Sequence, residues 1–454
     1  MSKLAILGGD PVRTKVFPER KTMGPLEREA VIRVLDSDVL SGFVGAAGAL
    51  FNGGKEVRGF EDSWGSKFGY KHVISVNSAS TALMTAVGAA GVEPGDEVIV
   101  SPYSMSVSAT AALFYGGIPI FADLDPANLC LDPKSIESRI TGRTKAIIVV
   151  HLLGHPADMD AIMAIAKPRG IKVIEDAAQA PGVIYKDRYV GGLGDIGCFS
   201  LNYHKHIHTG EGGLVVTNND QIALRAQLIR NHGENAAEAY GVEDFSNVMG
   251  SNYRLTELQA AIGTEQLKKL DDILALRQSL AAYLTGRLEE IKGLTVQKLP
   301  DYHNHAYYMF PIRYDEDVFG VSRSQFLKAV SAELPKPTSW ETTPLAEGYV
   351  KPLYLNQMYQ KKIAIGSKGF PFNYNQGVQY EYPKGMCPVV ERLYEKELMY
   401  TPLVREPLTV QDMSDLADAF EKVAGHAGEL GAISSQRDSR VYDAVSAINE
   451  TASK

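Results

Sequence analysis

The sequence is poor in cysteine and tryptophan and has no basic excess. Its 454 residues include three cysteines and two tryptophans, and 46 Lys and Arg stand against 54 Asp and Glu, a formal net charge of −8. Cys130, Cys198 and Cys387 lie far apart with no CxxC, so neither a disulfide framework nor a zinc ribbon is expected, and a reduced, cytoplasmic setting fits. Without a positive balance there is little to neutralise phosphates over a broad surface, so no nucleic-acid partner is expected. No run of 18 uncharged apolar residues occurs, and Met1–Asp10 lacks the apolar core of a signal peptide, so no membrane partner is expected. HExxH and GxxxxGK[ST] are also missing.

What is present suits a folded enzyme. Hydrophobic residues make up 45%, enough for a sizeable core and against wholesale disorder. Runs of strand character recur at His72–Val76, Glu97–Ser101, Ile118–Asp123, Lys145–Leu152, Lys172–Asp176, Ile196–Leu201 and Gly213–Thr217. Helical patterns such as Thr81–Ala90 and Met159–Ala166 lie between them. This alternation predicts an α/β domain with a mainly parallel seven-stranded sheet between helices. A long helix is expected over Thr256–Ile291, then a strand at Tyr307–Ile312, helices at Ser322–Leu334, Val389–Tyr400 and Val410–Ala424, and a loop over Leu334–Lys384. The expected division is 1–265 for an N-terminal segment and the large domain, 266–430 for a smaller α+β domain, and 431–454 for a peripheral tail.

In open parallel sheets, sites form beyond the carboxyl ends of the strands. After Val76 comes Asn77-Ser78-Ala79-Ser80-Thr81, opening a helix. Small residues and free N–H groups there suit an anion, although an ordinary N-cap explains the same residues. After Ile174 comes Glu175-Asp176-Ala177-Ala178-Gln179, a carboxylate at a strand end that either holds a cationic nitrogen or caps a helix. After Leu201 comes Asn202-Tyr203-His204-Lys205-His206-Ile207-His208, then Gly210-Glu211-Gly212-Gly213. A desolvated lysine there becomes a usable nucleophile; a loop lysine in water does not. The alternating histidines lack an evenly placed fourth ligand, so no metal is expected. Gly192–Gly197 matches GxGxxG but precedes a strand instead of following one, which excludes a dinucleotide fingerprint.

Taken in order, a small-residue anion cup, a strand-end aspartate and a later lysine are what a pyridoxal phosphate site needs. The phosphate takes the helix N-terminus, the ring nitrogen takes the carboxylate, and the aldehyde takes the lysine.

With Gly8–Arg13, Val76–Leu83, Gly95–Val100, Glu175–Gln179, Thr209–Gly213, Asn252–Ala261 and Cys387-Pro388, the sequence resembles the DegT/DnrJ/EryC1/StrS family of sugar aminotransferases from about Leu4 to Val423. The resemblance implies the fold-type-I pyridoxal phosphate transferase fold. It implies Lys205 as the Schiff-base lysine and proton carrier, Asp176 at the pyridinium nitrogen, Gln179 near the ring hydroxyl, and Ala79, Ser80 and Ser200 at the phosphate. Asn252 would reach the phosphate of a neighbouring subunit, making a homodimer with shared sites, and His151 would lie near the substrate. Asn202 replaces a frequent histidine and is still able to donate to phosphate. Met105 stands where an aromatic usually stacks on the ring, and Ala79-Ser80 replaces Gly-Thr. A sister branch of dehydratases carries histidine for the lysine, but five residues after Ser200 stands Lys205. The implied reaction moves an amine from glutamate or glutamine, through pyridoxamine 5'-phosphate, to a keto sugar, most often nucleotide-linked. A keto-cyclitol, a keto sugar phosphate, a pyridoxamine-dependent dehydratase and a non-catalytic sensor are the alternatives.

Overall fold

The computed structural model describes residues 3–299, 303–339 and 342–432. Most of the expected tail, from 433 on, lies outside them. All seven expected strands form and join one sheet. They are β1 (His72–Val76), β2 (Glu97–Val100), β3 (Ile118–Phe121), β4 (Thr144–Val150), β5 (Lys172–Asp176), β8 (Ile196–Ser200) and β9 (Gly213–Thr217), with β6 (Ile184–Tyr185) and β7 (Arg188–Tyr189) making a separate hairpin. The order is β1-β9-β8-β5-β4-β2-β3. Only β9 runs antiparallel to its neighbours. The central strands are nearly continuous Val and Ile and are buried on both faces, as strands covered by helices on each side must be. Each such side chain contributes about 1.5–3 kcal/mol by leaving water.

A second sheet, β10-β11-β13-β12, is antiparallel throughout. It comprises β10 (Leu294–Val296), β11 (Phe310–Tyr314), β12 (Ala346–Glu347) and β13 (Leu398–Thr401), with helices Arg323–Ala332 and Val410–Ala424 beside it. The long connecting helix is two helices, Glu257–Leu267 and Leu270–Leu288. The second buries Leu270, Ile273 and Leu274 in the larger core and Leu280, Leu284 and Leu288 in the smaller one.

Three expectations need correction. The helix expected over Val389–Tyr400 ends at Arg392, passes through a wide turn at Leu393–Glu397, and becomes β13. Tertiary pairing decides this, because Leu398–Thr401 hydrogen-bonds to both β11 and β12. The stretch expected as a loop over Leu334–Lys384, which is rich in tyrosine, also sends several side chains into the larger core. Tyr354, Tyr359 and Tyr382 pack around Phe121 at the sheet edge, Phe372 packs on Tyr359 and Tyr382, and Tyr382 Oη donates to Pro119 O at 2.9 Å. Conversely, Leu4 and Phe17 from the N-terminal arm belong to the smaller core.

Candidate active site

The carboxyl ends of β1, β5 and β8 converge on one edge of the sheet. Ser78 caps the helix Ala79–Ala89, accepting from Thr81 N at 3.1 Å while its own amide donates to Thr81 Oγ1. The cap leaves the Ala79 and Ser80 amides, the first two of the helix, without intrahelical acceptors. Gly213 is paired with Val76 on one side and Ser200 on the other. A Cβ on Gly213 would sit 2.5 Å from Ser78 C and O, so only glycine lets β9 approach the turn this closely. Ser200 thereby lines up beside the free helix N-terminus, where N–H groups and the helix dipole attract an anion.

Asp176, at the end of β5, is buried. Its Oδ2 accepts from Ser108 Oγ at 2.8 Å and its Oδ1 from Ala178 N at 3.2 Å. Burial pushes its carboxyl up, against the hydrogen bonds and the pull of Lys205. No cation lies within ion-pair distance among the described residues. Glu175 points to the opposite face, as adjacent strand residues do. It accepts from Gly191 N, Leu193 N and Gly194 N at 2.6–2.7 Å and from His151 Nε2 at 2.9 Å. The GxGxxG run is therefore a wrap around a buried carboxylate. A Cβ on Gly197 would meet Gly191 O at 2.3 Å.

His151, expected near the substrate, is wholly buried and has both nitrogens engaged. Nδ1 accepts from Ala157 N at 3.1 Å, which leaves the ring proton on Nε2, facing Glu175. It presents no free nitrogen to a reactant, because the backbone turn 151–157 folds over it. Gln179 is also anchored. Its Oε1 accepts from Leu153 N at 2.7 Å and its Nε2 donates one hydrogen to Tyr349 Oη at 3.0 Å.

Lys205 sits in the turn after β8 and is 5% exposed. Its Nζ lies 4.0 Å over the Tyr308 ring and makes no hydrogen bond or ion pair among the described residues. Burial lowers its ammonium to about 8, with Asp176 pulling it back up. A buried amine of reduced proton affinity facing a buried carboxylate without a cation is an unusual juxtaposition, and it concentrates where chemistry is done. The family model of the DegT/DnrJ/EryC1/StrS aminotransferases matches residues 43–372. The chain belongs to this family.

Like the named relatives it matches, it is an aminotransferase. It is 33% identical over 443 residues to L-glutamine:2-deoxy-scyllo-inosose aminotransferase of Streptoalloteichus tenebrarius, covering 94% of this chain and 99% of that one. It is 35% identical over 307 residues to GDP-perosamine synthase of Caulobacter vibrioides, covering 67% and 79%. The crystal structure of an aminotransferase from Psychrobacter cryohalolentis matches with a TM-score of 0.77 at 30% identity, over 91% of this chain and 100% of that one.

The remaining expected residues are near the turn in different states. Ser200 Oγ accepts from Asn202 N at 3.3 Å, and Asn202 Nδ2 donates to Glu211 at 2.9 Å, so one of its two donor hydrogens is already used. Met105 is 59% exposed beyond β2. Asn252 is exposed beside the turn of its own chain, its carbonyl accepting from Asn77 Nδ2 at 3.3 Å and its Oδ1 from Arg254 Nε at 2.8 Å. His206 Nε2 meets Ala306 O at 2.8 Å and His208 Nε2 meets Thr22 Oγ1 at 3.0 Å. The histidines thus have separate partners, and no metal-holding group occurs among the described residues.

Sequence reasoning missed Ser108 and Tyr308. Ser108 was signalled only by the serine spacing from Ser104, whose hydroxyl it meets at 3.0 Å. Tyr308 comes from a distant segment, and no local pattern marks it; Tyr349, one of the tyrosines of the expected loop, bonds Gln179.

The parts fit pyridoxal phosphate: two free amides and a cradle that a Cβ would fill for the phosphate, a carboxylate without a cation for a protonated ring nitrogen, and an amine without an anion for a carbonyl.

Proposed function

We propose that the chain binds pyridoxal 5'-phosphate and transfers an amino group from glutamate or glutamine to the keto group of a sugar. When bound, this cofactor supplies an electron-withdrawing ring that stores the donor's amine as pyridoxamine 5'-phosphate until the acceptor takes it. The observation that carries the reading is the pair of buried, uncompensated groups Lys205 and Asp176. Lys205, with its ammonium lowered to about 8, is partly free amine near neutral pH and serves as nucleophile and proton carrier. Asp176 holds a positive ring nitrogen, oriented by Ser108. The Ala79 and Ser80 amides, with the Ser80 and Ser200 hydroxyls and the second Asn202 hydrogen, hold phosphate. Gln179 would offer its remaining amide hydrogen to the ring hydroxyl, and Met105 would supply a thioether contact to the ring. His151 acts through Glu175 as a positioning residue.

A homodimer is part of this proposal, with Asn252 reaching the partner's phosphate. Its support is exposed apolar surface on and after the helix Pro25–Ser37, at Leu26, Ile32, Leu35, Val39 and Leu40, more than isolated apolar side chains would explain. Sedimentation of the loaded protein tests it. No described helix is long and apolar enough to cross a membrane, and all three cysteines are free and buried, which suits a cytoplasmic enzyme.

The acceptor is first a nucleotide-linked keto-deoxysugar, the substrate class that the name of GDP-perosamine synthase implies. A keto-cyclitol is the second reading, favoured by the match to the inosose aminotransferase at 94% and 99% coverage. The deciding experiment presents the pyridoxamine-loaded protein with both acceptors and reads recovery of the pyridoxal absorbance. Return with neither, in a protein that takes up the cofactor, would rule out both acceptors. Purified protein that takes up no pyridoxal phosphate would sink the whole reading.

A further inference from the structure

Backbone bonds within the turn that carries Lys205 leave some of its carbonyls to side chains from elsewhere. Lys205 N donates to Asn202 O at 2.9 Å and Thr209 N to Leu201 O at 2.9 Å. The carbonyls of Tyr203 and His206, two residues before Lys205 and one after, are taken instead by one side chain from the N-terminal arm. Arg20 donates from Nη1 to Tyr203 O at 3.3 Å and from Nη2 to His206 O. Its Nε donates to Glu406 Oε1 at 2.5 Å, and its side chain is 4% exposed.

Glu406 in turn gathers the elements around the lysine. Its Oε2 accepts from Arg277 Nε at 3.3 Å, while Arg277 Nη1 donates to Tyr307 O at 2.9 Å, one residue before the ring under Lys205 Nζ. Arg405 donates to Glu406 O at 2.7 Å and to Pro18 O at 3.1 Å, tying down the arm that carries Arg20. A guanidinium presents several donors in a fixed fork, so it fills three acceptors at once; an ammonium is a point charge on a flexible stem. Both Arg20 and Glu406 lie outside residues 43–372, the span matched by the family model.

The geometry points to Arg20 as a positioning residue for Lys205: held by Glu406, its fork grips the carbonyls on both sides of the lysine and keeps the amine over Tyr308, out of water. This rests on the reading of Lys205 as the reactive amine. Among the described residues, Asp176 from β5, His204 and His206 from the same turn, Tyr308 from the facing segment, and the guanidinium groups of Arg20 and Arg277 are the titratable and charged groups around it.

The test uses cofactor-free full-length protein, so it does not depend on pyridoxal phosphate binding. Brief acetic anhydride pulses across a pH series, followed by mass spectrometry of the Lys205 peptide, give the midpoint at which the amine becomes reactive. In Arg20→Ala the midpoint should rise by at least about one pH unit, a tenfold loss of free amine near neutrality, because a loosened turn lets water reach Nζ. Arg20→Lys keeps the charge but not the fork and should rise as well. Millimolar guanidinium should restore the midpoint of Arg20→Ala. A midpoint that stays put in Arg20→Lys overturns the inference, even if melting temperature falls, because that would be a structural role alone. If the midpoint moves as expected but the wild type takes up no pyridoxal phosphate, the functional reading fails and the positioning role stands.

Discussion

His151 donates from Nε2 to Glu175 at 2.9 Å, with both side chains wholly buried and three backbone amides closing on the same carboxylate. The pair fixes the turn after β4 to the loop before β8, on the side of β5 away from Asp176. It therefore braces the strand that presents Asp176, and His151 N donates to Asp176 O at 3.1 Å. In Glu175→Gln an amide NH₂ must face backbone N–H groups, and each donor left unpaired costs about 1–3 kcal/mol. The expected loss is roughly 2–4 kcal/mol, read from the denaturant midpoint, whereas activity per folded, loaded molecule stays within a few-fold. A large loss of turnover at full stability would assign the pair a direct catalytic part.

The Lys205 amine makes stability depend on pH. Its ammonium is lowered from 10.5 to about 8 in the folded chain. Between those values the unfolded chain holds a proton that the folded chain has released, so stability rises with pH across that window. A shift of this size corresponds to about 3 kcal/mol. In cofactor-free protein, Lys205→Met should be more stable than the wild type at pH 7, and the difference should shrink as pH climbs through 8 towards 10.5. Denaturation curves at several pH values check the sign. The same variant should lose transamination roughly 10²–10⁴-fold, the range for removing a proton carrier.

Much of this was legible in the chain. The seven strands of the large sheet are short apolar runs, several rich in Val and Ile, whose burial depends on neighbours of the same kind, so local pattern and tertiary context agree. Asp176 and Lys205 follow strands at positions where the topology must put a site. What was not legible depends on contacts between distant residues. Leu398–Thr401 becomes a strand because β11 and β12 offer pairing, although the sequence before it reads as a helix. The tyrosines of residues 349–382 suit ligand stacking and loop packing equally as a sequence, and it takes the folded chain to put Tyr354, Tyr359 and Tyr382 on Phe121. His151 looks reactive until Ala157 and Glu175 take its two nitrogens, and Arg20 gives no local sign of its role.

Asp176 costs the cofactor-free fold stability, because burial disfavours its charge more than its hydrogen bonds and the pull of Lys205 restore it. Its carboxyl is held above the ordinary range, so the folded chain binds the proton more tightly than the unfolded one, and stability falls as pH rises through that range. Asp176→Asn should hold or raise the melting temperature near neutral pH while transamination falls by roughly 10²-fold or more, the neutral amide being unable to hold a positive ring nitrogen. Ser108→Ala removes only one hydrogen bond to the carboxylate, so its loss should be about tenfold or less, or about 1 kcal/mol. A lower melting temperature in Asp176→Asn would mean that Asp176 stabilises the fold.

Gly213 separates cofactor capture from folding. Its missing Cβ is what allows β9 to lie against the Ser78–Ala79 peptide, with the nearest atoms at 2.5 Å all backbone. The position is inside a paired strand, so alanine suits its local conformation and the clash falls on the anion turn. Gly213→Ala must push that turn away from Ser200, spoiling the aim of the Ala79 and Ser80 amides. The protein should remain folded, with a loss of about 1–3 kcal/mol for overpacking, and its affinity for pyridoxal phosphate should fall at least tenfold by spectrophotometric titration. Pyridoxal lacking the phosphate should bind the variant and the wild type almost equally, because Lys205 and Asp176 are untouched. Equal weakening of both ligands would show that the damage spreads to the lysine turn and that the anion cup is not a separable part of the site.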